Sequence, residues 1–520
     1  MMHSYAHIAS PTRGLRLLIV GWIACLVPLA WSTVALAQHD DPLNPPQGLF
    51  AEEWLEVYLG GGKIGYGHST MRREGDLIHT MMDMKLQIGR ANQTVKMAVS
   101  SGTIETLAGR PVSFRTEQDM SIYRTVMRGE ISGGEVRITQ SQPKIQLEKK
   151  MSFPFPKGAM MTWGAFREGI VRGYKPGVQY TLKLYAPDMR LDDAVETKMS
   201  IGDWETKEVF GKAIRGMRVT SVMSTGRSEI EMLSWVNEAG DVLVAEVPMP
   251  GVGSMQLLTV DQETAMADFF PAELFMKTTI SVPPIDTARV RAIRYKVSLA
   301  GEGDDVLDLP TTGMQTPRKL DDRSSEVIVQ RQVHRSSGHK TATDPAELAP
   351  YLQSNLMMNT DDDALRKIAD QAAGDATDLF ELADNLRRFV RAYISQKSMD
   401  VGFATASEVC RSRRGDCSEH GVLLAALGRI KKLPSRLVVG VAYVPSFGGK
   451  QHFLGYHMWT QFFIDGQWYD FDAALGDEVA PHPGRIALAV TSLRDSSLAD
   501  ISIPLLSKIG NLKVEILDTK

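Results

Sequence analysis

The chain has 520 residues, 43% hydrophobic and 23% charged, with a formal net charge of −4. That is globular composition, which excludes disorder, collagen and a polytopic membrane protein and leaves room for two to four domains at about 150 residues each. The slightly acidic balance gives no electrostatic reason to expect nucleic acid, and three cysteines cannot make a disulfide framework.

Residues 1–37 read as an address rather than as structure. Arg13 and Arg16 precede an apolar run from Leu17 to Leu36, which ends on Ala35-Leu36-Ala37 just before the polar stretch at Gln38. A basic start, an apolar centre and an A-x-A end describe a secretory signal peptide cleaved after Ala37. An uncleaved anchor is the rival reading, since about 20 apolar residues can span a bilayer. Pro28 and the small residues at the end favour cleavage. Cys25 is a poor lipidation site, because Trp22 stands where a small aliphatic residue is needed. No later segment is apolar over the length of a membrane span. The mature protein is expected outside the cytoplasm, periplasmic or secreted. Losing Arg13, Arg16 and no acid takes its net charge from −4 to −6.

From 45 to 275 the pattern predicts an N-terminal antiparallel all-β domain, a curved sheet. Trp54 to Leu59, a Gly60-Gly61-Gly62 turn and Ile64 to Arg72 give a hairpin signal. Alternating stretches follow at Leu77 to Ile88, Thr94 to Ile104, Val112 to Ile122, Gly216 to Met223, Glu229 to Val236 and Val242 to Val247. Short turns between them predict a meander of sequential neighbours. Ala159 to Val171 is the one helix-compatible stretch. Met81, Met82, Met84, Met97, Met120 and Met127 are read as fillers of irregular core gaps rather than as thioether metal ligands. Trp54-Leu55-Glu56-Val57-Tyr58-Leu59, Lys63-Ile64-Gly65-Tyr66 and Trp235-Val236-Asn237-Glu238 loosely resemble the curved-sheet domains of bacterial envelope proteins.

Pro271, Pro283 and Pro284 mark a joint. Residues 283–345 carry two strand signals, Arg289 to Leu299 and Glu326 to Arg331, and read as a small β linker. Residues 346–520 then predict a C-terminal α+β domain. Leu365, Ile368, Ala369 and Ala372 recur at helical spacing, as do Leu379, Ala383, Leu386, Val390 and Ile394. Asp361 and Asp362 stand at a helix start and Gly374 at its end.

The chemistry concentrates between Arg413 and Asp472. Gly415-Asp416-Cys417-Ser418-Glu419-His420-Gly421 opens an apolar run, so Cys417 falls in the first turn of a helix, with Asp416 and Glu419 spaced as a capping box. The positive end of that helix favours a thiolate, and its free N–H groups suit an oxyanion. A small buried core residue is the alternative reading of Cys417. Downstream, Asp465-Gly466 is the signature of a two-residue hairpin turn, pairing Ile464 with Gln467. That register sets Trp459 opposite Asp472 and His457 opposite Ala474. Met458, Phe462, Ile464, Tyr469 and Phe471 then share the core face, while His457, Trp459 and Asp472 share the other. Asp472 lies diagonal to His457 at about 7–8 Å between backbones, within side-chain reach. Asp470 is one pair further along and is the weaker partner. Cys417 as nucleophile, His457 as base and Asp472 as orienting carboxylate make a thiol triad.

Residues 363–490 resemble the transglutaminase-like superfamily, a papain-type thiol fold. The motifs are Phe403 to Val409, Arg414-Gly415-Asp416-Cys417-Ser418-Glu419-His420, Leu433 to Gly440, Gly455-Tyr456-His457-Met458-Trp459 and Trp468-Tyr469-Asp470-Phe471-Asp472-Ala473. The resemblance assigns the same roles to Cys417, His457 and Asp472. Gly421 and Gly428 depart from it, standing where alanine is usual, and Cys410 stands where an aliphatic residue is expected. Cys410 is read as a buried apolar residue rather than as a disulfide partner of Cys417. A zinc site on Cys410, Cys417 and His420 lacks paired spacing.

What the resemblance implies is acyl transfer from a glutamine carboxamide or peptide carbonyl through a thioester, with no cofactor and a protein or peptide substrate. A papain-like peptidase or amidase of the envelope and a non-catalytic binding module on the same fold are the alternatives. The N-terminal β domain is expected to present substrate or to hold an envelope protein.

Overall fold

The computed structural model describes residues 41–90, 93–120, 123–224, 229–249, 253–271, 278–301, 305–334, 344–398, 403–475, 481–494 and 508–520. The signal-peptide reading and Cys25 lie outside the described residues. The chain divides into two compact units, one within Leu18–Leu274 and one comprising Phe275–Asp495 and Lys508–Lys520. Among the described residues no helix is long and apolar enough to cross a membrane.

The N-terminal unit is one antiparallel sheet of fourteen strands. The first meander runs through β1 (Gly48–Leu59), β2 (Gly62–Glu74), β3 (Leu77–Arg90), β4 (Gln93–Thr106), β5 (Pro111–Met120), β6 (Tyr123–Ser132), β7 (Glu135–Gln142) and β8 (Leu147–Pro154). The second runs through β9 (Gln179–Leu184), β10 (Val195–Val209), β11 (Lys212–Ser224), β12 (Glu229–Val236), β13 (Val242–Met249) and β14 (Gly253–Val260). Within each meander every strand pairs with the next, and β1 pairs with β14 to join the two meanders into one sheet with β8 and β9 at its edges. The expected meander is present. Six strands, β6 to β10 and β14, lie outside the stretches read as strands in the sequence. On the edge strand β8 the alternation exists in the burial pattern, but adjacent Lys149 and Lys150 hide it. Edge lysines of this kind deter pairing with another chain.

One face of the sheet is core. Leu55, Val57 and Leu59 are buried on β1, and Met82, Met84, Met97 and Met127 are buried with them, so these methionines pack as core fillers. The helix-compatible stretch is α1 (Thr162–Arg172). Its N-cap residue Met161 offers no capping side chain. Glu105 on β4 supplies one instead, accepting from the N–H groups of Trp163 at 2.6 Å and Gly164 at 2.9 Å and from the Thr103 hydroxyl at 3.0 Å. A carboxylate against the positive end of a helix satisfies donors that would otherwise be buried unpaired.

In the C-terminal unit, β15 (Ala292–Leu299), β16 (Gln315–Asp321) and β17 (Ser324–Gln330) come from the stretch read as a linker. They form a four-stranded sheet whose fourth member is the C-terminal strand Leu512–Thr519, in the order β16-β17-β15 and then that strand. The helices follow as α2 (Asp363–Ala373), α3 (Leu379–Tyr393), α4 (Ala406–Ser412) and α5 (Cys417–Ile430). The second sheet of this unit contains β18 (Ser435–Phe447), β19 (Lys450–Ile464), β20 (Gln467–Phe471) and β21 (Arg485–Thr491), with β18 between β19 and β21 and β20 on the other side of β19. Helix α5 packs on β18 and β19 on one side and touches α2, α3 and α4 on the others. It is apolar all round for that reason. Val422, Leu423, Leu424 and Leu427 are each 0% exposed, worth about 2 kcal/mol apiece in removed apolar surface.

Candidate active site

The chain enters α5 through Gly415, whose φ is +149° and where a Cβ would lie 2.4 Å from Glu419 Cβ, so no larger residue fits. Asp416 caps the helix, accepting from Ser418 N at 3.1 Å, and Glu419 Oε2 accepts from Asp416 N at 2.9 Å. This reciprocal pair is the capping box expected from the spacing. It fixes Cys417 at the first helical position, where the positive end of the helix macrodipole favours a thiolate. The Cys417 thiol is free of any disulfide and buried. Burial and the neighbouring Asp416 charge push the Glu419 carboxyl well above its usual range.

The hairpin has the expected register. Ile464 pairs with Gln467 and the ladder continues to Thr460 opposite Phe471. Met458, Phe462 and Phe471 are buried on the face toward α5, where Thr460 Oγ1 also donates to Gly421 O at 2.9 Å. On the other face His457 Nε2 lies 2.7 Å from Asp472 Oδ2, and both side chains are almost wholly buried. Asp472 Oδ1 accepts from the N–H groups of Ala474 at 2.9 Å and Leu475 at 3.0 Å. Burial alone would push the Asp472 carboxyl up. The His457 charge and hydrogen bond, Arg485 and the Leu475 N–H outweigh it and hold the carboxyl well below the usual carboxylate range. With Nε2 turned to the carboxylate, His457 Nδ1 is buried and has no hydrogen-bond partner among the described residues. That nitrogen is the one left to exchange a proton.

Asp470 meets different groups. It accepts from Trp459 Nε1 at 2.9 Å and from Gln461 Nε2, and burial pushes its carboxyl up. Of the two acids in the motif, Asp472 is therefore the one that touches His457.

Two features escaped the sequence reading. Arg485, at the start of β21, places Nη1 3.2 Å from Asp472 Oδ2 and lies over the Trp459 ring at 5.1 Å. Thirteen residues separate it from Asp472, and no motif marks it. His420, one turn past Cys417, contacts Lys397 Nζ through Nε2, and its Nδ1 faces Asp416 O. Burial and the Lys397 charge push His420 down to about 3, so it is neutral. Cys410 is free and buried, with Tyr393 Oη donating to its carbonyl at 2.7 Å, and burial pushes its thiol up. Among the described residues no group of His, Cys, Asp and Glu is arranged to hold a metal ion.

Two family models match the chain. Residues 366–473 match the transglutaminase-like superfamily, and residues 55–249 match a family described as a protein of unknown function, DUF3108. No curated protein matches. Among solved structures, the chain is similar to a candidate cysteine protease from Cytophaga hutchinsonii at 15% identity and a TM-score of 0.29, covering 44% of this chain and 89% of that one. It is also similar to a candidate protease from Parabacteroides distasonis at 10% identity and a TM-score of 0.19, covering 72% of this chain and 68% of that one. The match over residues 366–473 is to the superfamily that the motifs around Cys417, His457 and Asp472 resemble.

Proposed function

We propose that this transglutaminase-like domain is a cysteine acyltransferase with Cys417 as nucleophile, His457 as base and Asp472 as orienter. The observation that carries the reading is the 2.7 Å bond from His457 Nε2 to a carboxylate held anionic, which leaves Nδ1 unoccupied and fixes the ring. The position of Cys417 at a capped helix start supports it further.

In the first half-reaction Cys417 Sγ bonds to the carbonyl carbon of a glutamine carboxamide or peptide, and His457 Nδ1 holds the thiol proton. Collapse of the tetrahedral adduct breaks the carbon–nitrogen bond, and the same proton leaves with ammonia or the amine. In the second half-reaction an amine or water gives its proton to His457, attacks the thioester and releases Cys417. The access of water decides between transfer and hydrolysis.

The test follows two products from wild type and Cys417→Ala: amine incorporated into a glutamine peptide, and peptide fragments released. Labelling that requires Cys417 supports the transferase. Cleavage without labelling makes the protein a peptidase or amidase. Failure of both, together with failure of thiol probes to label Cys417, leaves a binding module and removes the enzyme reading. We further propose that the chain is exported on residues 1–37 and that residues 45–275 present substrate or hold an envelope protein, with 283–345 joining them to the catalytic part. The apolar run before Ala37 supports export, and N-terminal sequencing of the mature protein tests it.

A further inference from the structure

Arg485 opens β21 and is 2% exposed, so its charge is met inside the protein. A buried guanidinium is costly unless the groups around it answer both its charge and its N–H donors. Three groups do so here. Nη1 lies 3.2 Å from Asp472 Oδ2, Nε donates to His482 O at 3.2 Å, and the guanidinium carbon sits 5.1 Å from the centre of the Trp459 ring. The indole is fixed in turn, since its Nε1 donates to Asp470 Oδ2 at 2.9 Å, and it stacks on the His457 ring at 5.9 Å. Held at two nitrogens and against a ring, the guanidinium has little freedom to turn away from Asp472.

The carboxylate is divided between its donors. Asp472 Oδ1 takes the N–H groups of Ala474 and Leu475, while Oδ2 is shared by His457 Nε2 at 2.7 Å and Arg485 Nη1. Two nitrogens on one oxygen stand at most about 6 Å apart, so the guanidinium and the imidazole are within direct electrostatic range. The anion favours a protonated imidazole and the cation disfavours it. Asp472 with Arg485 attached therefore orients the ring without the full pull of an isolated carboxylate on its proton.

The other titratable and charged groups acting on this pair are Cys417 and His420 on α5, Lys397 and Arg391 beside His420, Asp470 on β20, and His482 with Arg331 beside it. Burial and the Lys397 charge push His420 down to about 3, and burial and the Arg485 charge do the same to His482. Both are neutral near pH 7, which leaves His457 as the histidine of this group that can change charge there.

We propose that Arg485 is a positioning residue of the triad, a fixed cation that holds Asp472 to the His457 ring and weakens the carboxylate's grip on the imidazolium proton. The inference rests on Cys417 and His457 reacting as a pair. It adds a reason for the buried cation, because a base that keeps its proton too firmly does not return it to a leaving amine.

Alkylation of Cys417 by iodoacetamide reads this directly. The thiolate forms a carbon–sulfur bond and iodide leaves, and labelling is followed on the peptide that contains Cys417, apart from Cys410. A thiolate beside an imidazolium and one beside a neutral imidazole react at different rates, so the pH profile has an upper step where His457 loses its proton. Arg485→Gln moves that step up by about one pH unit, the effect of one charge at about 6 Å with a dielectric constant near 40. Arg485→Lys keeps a cation in place and leaves the step within about 0.3 unit of wild type. Because loss of one member of a buried ion pair can prevent folding, Arg485→Gln is also made together with Asp472→Asn, which removes both charges. The step of that double variant lies about one unit above that of Asp472→Asn alone. Each comparison changes one charge and leaves every other group as it was. Steps that coincide with and without Arg485 overturn the inference. An equal rise in Arg485→Lys and Arg485→Gln overturns it too, since packing and not charge then sets the step. A profile of the unmutated protein without an upper step overturns the thiol–imidazole pair instead, so the two failures are distinct.

Discussion

Glu105 in the N-terminal sheet and Asp472 in the C-terminal domain are equally buried carboxylates with opposite electrostatics. Glu105 meets only neutral donors, the N–H groups of Trp163 and Gly164 and the Thr103 hydroxyl, so burial dominates and pushes it up to about 7. Asp472 meets His457 and Arg485 in addition to two N–H groups, and it is held well below the usual range. Burial by itself does not set a carboxylate's state; the charge of its partners does. Glu105 is accordingly a structural cap whose ionisation costs stability, and Asp472 is an anion hydrogen-bonded to the His457 imidazole.

The largest effect that tests this contrast is on activity. Asp472→Asn is expected to lower turnover by about 10³-fold or more, whereas Asp470→Asn should cost far less, and equal losses in a thiol-dependent assay would break the distinction between the two acids. Next is Glu105→Ala, which strips the cap from α1 and should cost about 2–4 kcal/mol by denaturant titration while leaving the alkylation rate of Cys417 unchanged. Loss of Cys417 reactivity in that variant would show that the two regions are not separable.

The pH response should also differ. A carboxyl raised from 4.5 to about 7 by folding contributes stability that is complete below pH 4.5 and is lost as pH rises toward 7, at most about 3 kcal/mol. Asp472 works the other way, contributing above the ordinary carboxylate range and losing its contribution as pH falls below about 4. Amide exchange in α1, corrected for intrinsic rates, should therefore show less protection at pH 7.5 than at pH 5. A flat or rising profile would contradict the account of Glu105.

The smallest effects probe the packing of α5 on β18 and β19. At Gly428 a Cβ would lie 2.2 Å from the Phe462 ring, so Gly428→Ala should cost about 1–3 kcal/mol. At Gly421 the nearest atom is Leu437 Cδ2 at 3.3 Å, and Gly421→Ala should stay within about 1 kcal/mol of wild type, since the helix gains propensity as Leu437 shifts. Thermal melts distinguish the two. The departures from alanine at these positions thus have different physical weight, which residue identity alone did not reveal.

Local chemistry made much of the site legible in the sequence. The Asp465-Gly466 turn fixes the register, and a two-residue period then forces His457 and Asp472 onto one face and Met458, Phe462 and Phe471 onto the other. The Asp416 and Glu419 spacing fixes Cys417 at a helix start, because the capping box is a contact three residues long. The meander was legible for the same reason: each strand pairs with the next.

Only the tertiary structure decided the rest. The pairing of β1 with β14, the C-terminal strand completing the sheet of residues 283–345, Glu105 capping a helix 58 residues away and Arg485 completing the Asp472 cage all join distant residues. Such contacts leave no periodic trace, since nothing in the local sequence depends on them.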